Sequence, residues 1–234
     1  MGGVVVKVVD VAEFYAEQGG GVRTYINQKL THGSAAGHDV LIVAPGPETS
    51  VEERLGGRIA WVKGPPMPFD PRYYIMWREK VIHEILDREQ PDLVEGSSPW
   101  TGGWFTARWK GKAPKAFIFH QDPVAVFPQT MFGKTVGYDR VDKMFFWFWK
   151  YLKKLSSHYQ ATVVSGHWLA ERLARFGVHR PIAVPFGIDK SRFSPEHRDE
   201  SVRRELLEKC GLPEDGKLLV TVSRLHPEKR LGTL

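Results

Sequence analysis

Residues 4–11 read VVVKVVDV. This run is almost continuously β-branched and carries no helical spacing, as expected of a strand buried on both faces of a sheet. Three glycines follow, Gly19, Gly20 and Gly21. Beyond them residues 22–36 place Val22, Tyr25, Ile26 and Leu30 on one helical face. A buried strand, a glycine loop and an amphipathic helix are the start of a βα unit, which calls for a parallel sheet.

The same alternation continues outward. GHDVLIVAP (37–45) predicts a second strand, ended by Pro45 and Gly46, and RIAWVKG (58–64) a third. Residues 73–88 carry a long amphipathic pattern with Ile75, Ile82, Ile85 and Leu86 on its apolar side. PDLVEGSS (91–98) predicts a fourth strand, and KAFIFHQD (115–122) a fifth that ends at His120. Residues 139–157 predict a helix, ATVVSG (161–166) a sixth strand, HWLAERLARFG (167–177) a helix, and PIAVPFGID (181–189) a short strand that breaks into a turn. The expectation is an α/β fold, a Rossmann-like parallel sheet with helices on both faces. Ligands of such sheets bind beyond the carboxyl ends of strands, which singles out Gly20, Gly21, Glu95 to Ser98, His120, Gly187 and Arg224.

From Phe193 to Asp215 the chain turns polar and charged, with one helix ending near Gly211. An apolar run, Leu218 to Val222, then predicts another strand followed by a helix start. The expected organisation is one domain over 1–192, a linker over 193–215, and the opening of a second domain over 216–234.

Bulk properties narrow the function. Hydrophobic residues make up 42% and charged residues 26%, so a sizeable core is available. The net charge of +6 favours anionic partners. The basic residues are scattered through helices rather than gathered in one arm, which argues against nucleic acid. The single cysteine, Cys210, excludes an intrachain disulfide and predicts a reducing, cytoplasmic setting. No stretch reaches the roughly 18 apolar residues of a membrane span. Peripheral contact with the inner face of the membrane stays open.

Two phosphate motifs fail on inspection. A dinucleotide fingerprint starting at Gly19 requires glycine where Thr24 stands, and the second strand ends without an acidic residue for a ribose. FGKT (132–135) would need glycine at Pro128 to be a P-loop, so Lys134 reads as a loop lysine. The glycines at 19–21 are either a flexible turn or a backbone floor under a ligand, with the following helix N-terminus turned to an anion.

Four segments, in order, carry a resemblance. GGGVRTYINQKL (19–30) resembles the Gly-Gly-Val loop and helix that open many family 4 glycosyltransferases. GHDVLIVAPG (37–46) resembles their second strand, PFGIDKSRFSP (185–195) their hinge, and VSRLHPEKRLGTL (222–234) the opening of their donor site. The resemblance, which runs over essentially the whole chain, is to retaining GT-B glycosyltransferases of the GT4 type. It implies two Rossmann-like domains facing a cleft. The chain then supplies the acceptor-side domain, is truncated before most of the second, and by itself has little or no activity.

The resemblance also implies roles. Arg224 and Lys229 would clamp the diphosphate of a nucleotide sugar, where leaving-group charge develops. His120 would lie close to the transferred sugar and orient it. Gly20 and Gly21 would form the substrate-binding loop, and Gly187 the hinge. The full-length reaction would move a sugar, with GDP-mannose the favoured donor, to an acceptor hydroxyl with retention and without metal or other cofactor. Partners would be the nucleotide sugar and a sugar or lipid-linked acceptor. Three positions depart from the family pattern: Phe186 replaces a common Asn, Ser223 the Gly before Arg224, and Arg230 the Gly after Lys229. The alternatives are a GT-B-fold sugar-nucleotide epimerase or hydrolase, and a non-catalytic sugar- or lipid-binding module.

The stretch 140–155 adds one reading. Helical spacing puts Met144, Phe145, Phe148, Leu152 and Leu155 on one face, and Lys143, Lys150, Lys153 and Lys154 with Phe146 on the other. It is either a core helix with lysines in solvent or a helix lying on an anionic membrane. The proline-rich GPPMPFDPRYY (64–74) predicts a rigid surface of exposed rings near the acceptor.

Overall fold

The computed structural model describes residues 4–17, 20–68, 70–223, 225, 229 and 231–233. It divides into two compact units, 1–185 and 186–234. In the first, β1 (Lys7–Val11) leads to α1 (Gly21–Ala35) and β2 (Asp39–Gly46). A hairpin of β3 (Ser50–Arg54) and β4 (Gly57–Lys63) comes next, then a small hairpin of β5 (Pro66–Met67) and β6 (Asp70–Tyr74). Helix α2 (Glu79–Glu89), β7 (Leu93–Gly96), α3 (Thr101–Arg108) and β8 (Lys115–Phe119) follow. The helices α4 (Pro123–Val126), α5 (Pro128–Val136), α6 (Tyr138–Met144) and α7 (Phe146–Ser156) precede β9 (Ala161–Val164), α8 (His167–Arg175) and β10 (Pro181–Ala183).

Eight strands form one sheet in the order β10-β9-β8-β7-β1-β2-β4-β3. Every pairing is parallel except β3 with β4. β1 is followed by β2 on one side and reached from β7 on the other, so the strand order reverses at the centre of the sheet. Open parallel sheets bind ligands at this switch point.

Two-residue periodicity assigns the faces. Val40, Ile42, Ala44 and Ile59 pack with Ile26 and Leu30 of α1. Val9, Val11, Leu41, Val43 and Val94 pack on the opposite face with Ile82, Ile85 and Leu86 of α2 and Phe105 of α3. A third cluster joins Phe117, Phe119 and Val164 to Phe148, Leu152 and Leu155 of α7 and to Leu169 and Leu173 of α8. The parallel α/β sheet with helices on both faces is as the sequence reading has it.

Several elements differ from that reading. The pattern over 73–88 is not one helix: Tyr73 and Tyr74 belong to β6, and helix begins at Glu79. Lys134 is helical, in α5, because Pro128 starts that helix at a position where its missing N–H costs nothing. The stretch 139–157 is two helices broken at Phe145. Phe148, Leu152 and Leu155 are buried as expected, but Met144 is 60% exposed and Trp149 is buried, its ring stacked on Phe176 at 3.9 Å.

In the second unit, α9 (Glu200–Lys209) is capped by Asp199, whose carboxylate accepts from Ser201 N at 2.8 Å. The strand expected at Leu218–Val222 does not form. Leu219, Val220 and Val222 are exposed. A strand is stable only when neighbours take up its main-chain and side-chain partners, and no strand is present among the described residues of this unit.

Candidate functional site at the sheet switch point

β1 and β7 pair so that Asp10 lies beside Glu95. The neighbours Val9, Val11 and Val94 face α2 and α3, so both carboxylates face α1. Two adjacent buried carboxylates repel, and Lys29 of α1 answers them. Its Nζ lies 2.5 Å from Asp10 Oδ2 and also contacts Glu95 Oε2. Burial pushes the Glu95 carboxyl up, and the flanking carboxylates hold the Lys29 ammonium well above its ordinary value against the opposing effect of burial. Ser97, just past β7, donates from Oγ to Asp10 Oδ1 at 2.6 Å.

A third carboxylate, Glu13 in the β1–α1 loop, sits at the start of α3. It accepts from Ser98 Oγ, from Thr101 Oγ1 at 2.5 Å and from Gly102 N at 3.0 Å. An anion is favoured there by the unpaired N–H groups of the helix end. The segment Glu95 to Ser98 thus ties β7 to β1 and to the loop above it.

That loop ends at Gly20 and Gly21. Gly20 precedes α1, no side chain caps the helix, and its first turn holds no acidic residue. Among the described residues, apart from the chain neighbours and the helix's own backbone, a Cβ at either glycine would meet no atom within 4 Å, so packing against them does not demand glycine here. One turn on, Tyr25 meets His120 edge-to-face, with ring centroids 5.0 Å apart. Lys29 Nζ lies 4.6 Å from the Tyr25 ring centre. Burial lowers the His120 pKa to about 4, so the imidazole is neutral near pH 7 and offers one donor and one acceptor. Burial raises the Tyr25 hydroxyl to about 12.

The chain after His120 is held by a buried ion cluster. Asp122 caps α4, accepting from Val124 N at 2.8 Å, and pairs with Arg172 Nε. The other side of the Arg172 guanidinium binds Asp142 at 2.9 and 2.7 Å. Both carboxylates and the guanidinium are buried.

Of the residues expected at the site, Gly20, Gly21 and His120 lie in the first unit at the carboxyl end of the sheet, and α1 and Tyr25 link the loop to His120. Gly187 and Lys229 belong to the second unit. Gly187 has φ +78°, a left-handed conformation that favours glycine over any residue with a Cβ. Lys229 is exposed, and Arg224 lies outside the described residues. Asp10, Glu13, Tyr25 and Lys29 escaped the sequence reading as site residues. Asp10 was visible as a lone carboxylate inside a valine run. Lys29 sits one helical turn from Tyr25, on the face the apolar pattern assigned to the core.

A sequence profile of Glycosyltransferase Family 4 matches residues 19–192. The GDP-mannose-dependent alpha-(1-6)-phosphatidylinositol dimannoside mannosyltransferase of Mycobacterium tuberculosis (strain ATCC 25177 / H37Ra) is 25% identical over 95% of the chain. GDP-mannose-dependent alpha-mannosyltransferases of Corynebacterium glutamicum and M. tuberculosis (strain CDC 1551 / Oshkosh) are 27% and 28% identical over 97% and 98% of it. The chain spans about half the length of these relatives, 55%, 53% and 58% respectively. Among solved structures, Arabidopsis thaliana UGT89C1 complexed with UDP aligns with a TM-score of 0.44 and 14% identity, covering 84% of this chain and 57% of that one. With the profile spanning well over half of its residues, the chain belongs to Glycosyltransferase Family 4.

Proposed function

We infer that the protein to which this chain belongs transfers a sugar from a nucleotide-diphosphate sugar to an acceptor hydroxyl, with retention. The observation that carries the reading is the contact of Tyr25 with His120. It joins the uncapped first turn of α1 to the end of β8, one strand from the switch point of a family 4 sheet. Gly20 and Gly21 then form an unobstructed floor for substrate, and neutral His120 positions the sugar through a hydroxyl. Arg224 and Lys229 hold the diphosphate as negative charge develops on it, Gly187 serves as hinge, and no metal is required. Three relatives carry GDP-mannose in their names, which favours a mannosyl donor. One of those names contains a phosphatidylinositol dimannoside, which favours a lipid-linked acceptor.

The reading also includes peripheral contact with an anionic membrane through the 140–155 region. Met144, Phe146 and Trp147 are 60%, 56% and 55% exposed. Lys143, Lys150, Lys153 and Lys154 are exposed around them. Apolar rings among cations suit an interfacial surface. No helix among the described residues is long and apolar enough to cross a membrane.

The test is a transfer assay on the full-length protein with GDP-mannose and a lipid-linked mannoside, with the product anomer read by NMR. Arg224→Ala and Lys229→Ala are each expected to lower kcat by about 10²–10³. Turnover of donor without acceptor would favour a hydrolase or epimerase. Unchanged kcat in both variants would remove the assigned diphosphate clamp.

A further inference from the structure

The first unit holds a cleft of about 510 Å³ that the donor chemistry above does not use. Its volume is within the range of small-molecule sites. The floor is a ring pair: Tyr15 and Trp61 stack with centroids 5.6 Å apart and 27° between planes. The Tyr15 hydroxyl is fixed from two sides, donating to Asn27 Oδ1 and accepting from Arg54 Nη1, both at 3.1 Å. Gly46 lies against the indole. A Cβ there would come within 3.0 Å of Trp61 Cε3, closer than ordinary contact. Pro45, Pro47 and Pro71 add rigid apolar walls, and Tyr74 a third ring.

The rim decides the chemistry. It carries Glu17, Glu48 and Arg72, so its own charge is negative. Arg72 is held by Asp70 through Nε at 2.8 Å and Nη2 at 2.6 Å, and Glu17 is held by Arg54 at 3.0 Å. Counting these partners leaves the sign unchanged. A rim of net negative charge disfavours a phosphate, and with it a second nucleotide site. Flat ring faces accept the C–H face of a sugar ring. Carboxylates accept from its hydroxyls, and a guanidinium donates to them. A quaternary ammonium head would suit the rings and carboxylates, but it is much smaller than the cleft and makes no use of Arg72.

We propose that this cleft binds a neutral pyranose of the acceptor, at a distance from the reacting hydroxyl. The proposal rests on the glycosyl-transfer reading. The β1–α1 loop supports it, since it supplies Tyr15 and Glu17 to the cleft and runs on to Gly20 and Gly21.

The experiment is saturation-transfer NMR on the chain with methyl α-mannopyranoside, choline and inorganic phosphate as separate probes. Ring protons of the pyranoside are expected to saturate, with affinity about tenfold weaker in Tyr74→Ala and in Glu48→Gln. Tyr74→Ala tests the ring. Glu48→Gln, at an exposed position, tests the rim should the first variant fail to fold. Absence of saturation, equal saturation in both variants, or saturation of choline or phosphate in place of the pyranoside overturns the proposal. The full-length transfer assay separates the two claims. Transfer with no pyranoside binding removes the cleft alone, whereas no transfer from any nucleotide sugar removes the acceptor role with the functional reading.

Discussion

His120 and Lys29 show opposite consequences of burial. His120 binds a proton less readily in the folded chain than in the unfolded one, with a pKa of about 4 against 6.5. Between those values the unfolded state holds more protons, so stability rises with pH and is lost on acidification. The loss amounts to at most about 3 kcal/mol. In His120→Gln this part of the slope should vanish, as measured by urea denaturation from pH 7 to 4. Lys29 is the charge that lets Asp10 and Glu95 share one face. Lys29→Met should cost about 3–5 kcal/mol, because it strands two buried carboxylates. Glu95, already pushed up by burial, is then protonated still more readily in the fold, so the variant should weaken further as pH rises, the reverse of the His120 effect. Equal loss at pH 5 and pH 8 would contradict the arrangement.

At the scale of elements, the β3–β4 hairpin turns through Leu55 and Gly56, with φ of 53° and 81°. Both are left-handed, as a two-residue turn between twisted strands requires. Leucine is poorly suited to that conformation, and its side chain is half exposed. Leu55→Asn should therefore stabilise the first unit by about 0.5–1 kcal/mol, read as a higher melting temperature. Gly56→Ala should do the opposite, since a Cβ there would come within 2.4 Å of Ser34 Oγ.

The elements that sequence pattern did not give have particular causes. β3 is an edge strand with one open side, so ETSVEER (48–54) shows no buried stripe. Helix α3 contains Gly102 and Gly103, and two glycines in eight residues weaken a helical pattern. A Cβ on Gly103 would meet Ser98 O at 2.1 Å, so close approach to the β7 loop requires that glycine. α4 and α5 open with proline, which carries no apolar helical spacing but suits the first turn of a helix. The strands of the central sheet were legible because burial on both faces leaves a continuous apolar run. The positions of Gly20, Gly21 and His120 beyond strand ends were legible because they follow those runs. The ion cluster beneath them was not, since the β1–β7 register that aligns Asp10 with Glu95 is a tertiary fact.

Over the whole molecule, charge and exposure are unevenly placed. From Phe127 to Ser157 the exposed charged residues are Lys134, Arg140, Lys143, Lys150, Lys153 and Lys154 against Asp139 alone. The same stretch exposes Phe127, Met131, Phe132, Phe146 and Trp147. Binding to vesicles containing an anionic phospholipid should exceed binding to purely zwitterionic ones and fall with added salt. A Phe146→Ser/Trp147→Ser double variant should bind markedly less at unchanged melting temperature, as followed by co-sedimentation. Unaltered binding would return α7 to the role of a core helix with a solvated lysine side.

The two ends of the large sheet carry a separate implication. One border is the short, charged β3, with Glu52, Glu53 and Arg54, running against the direction of its neighbours. The other is β10, three residues long and opened by Pro181, which has no N–H to offer. Neither gives a long row of unpaired amide groups on which a further polypeptide could add as another strand. Self-association by lateral growth is thereby blocked at both borders, and concentrated solutions of the first unit should resist fibril formation.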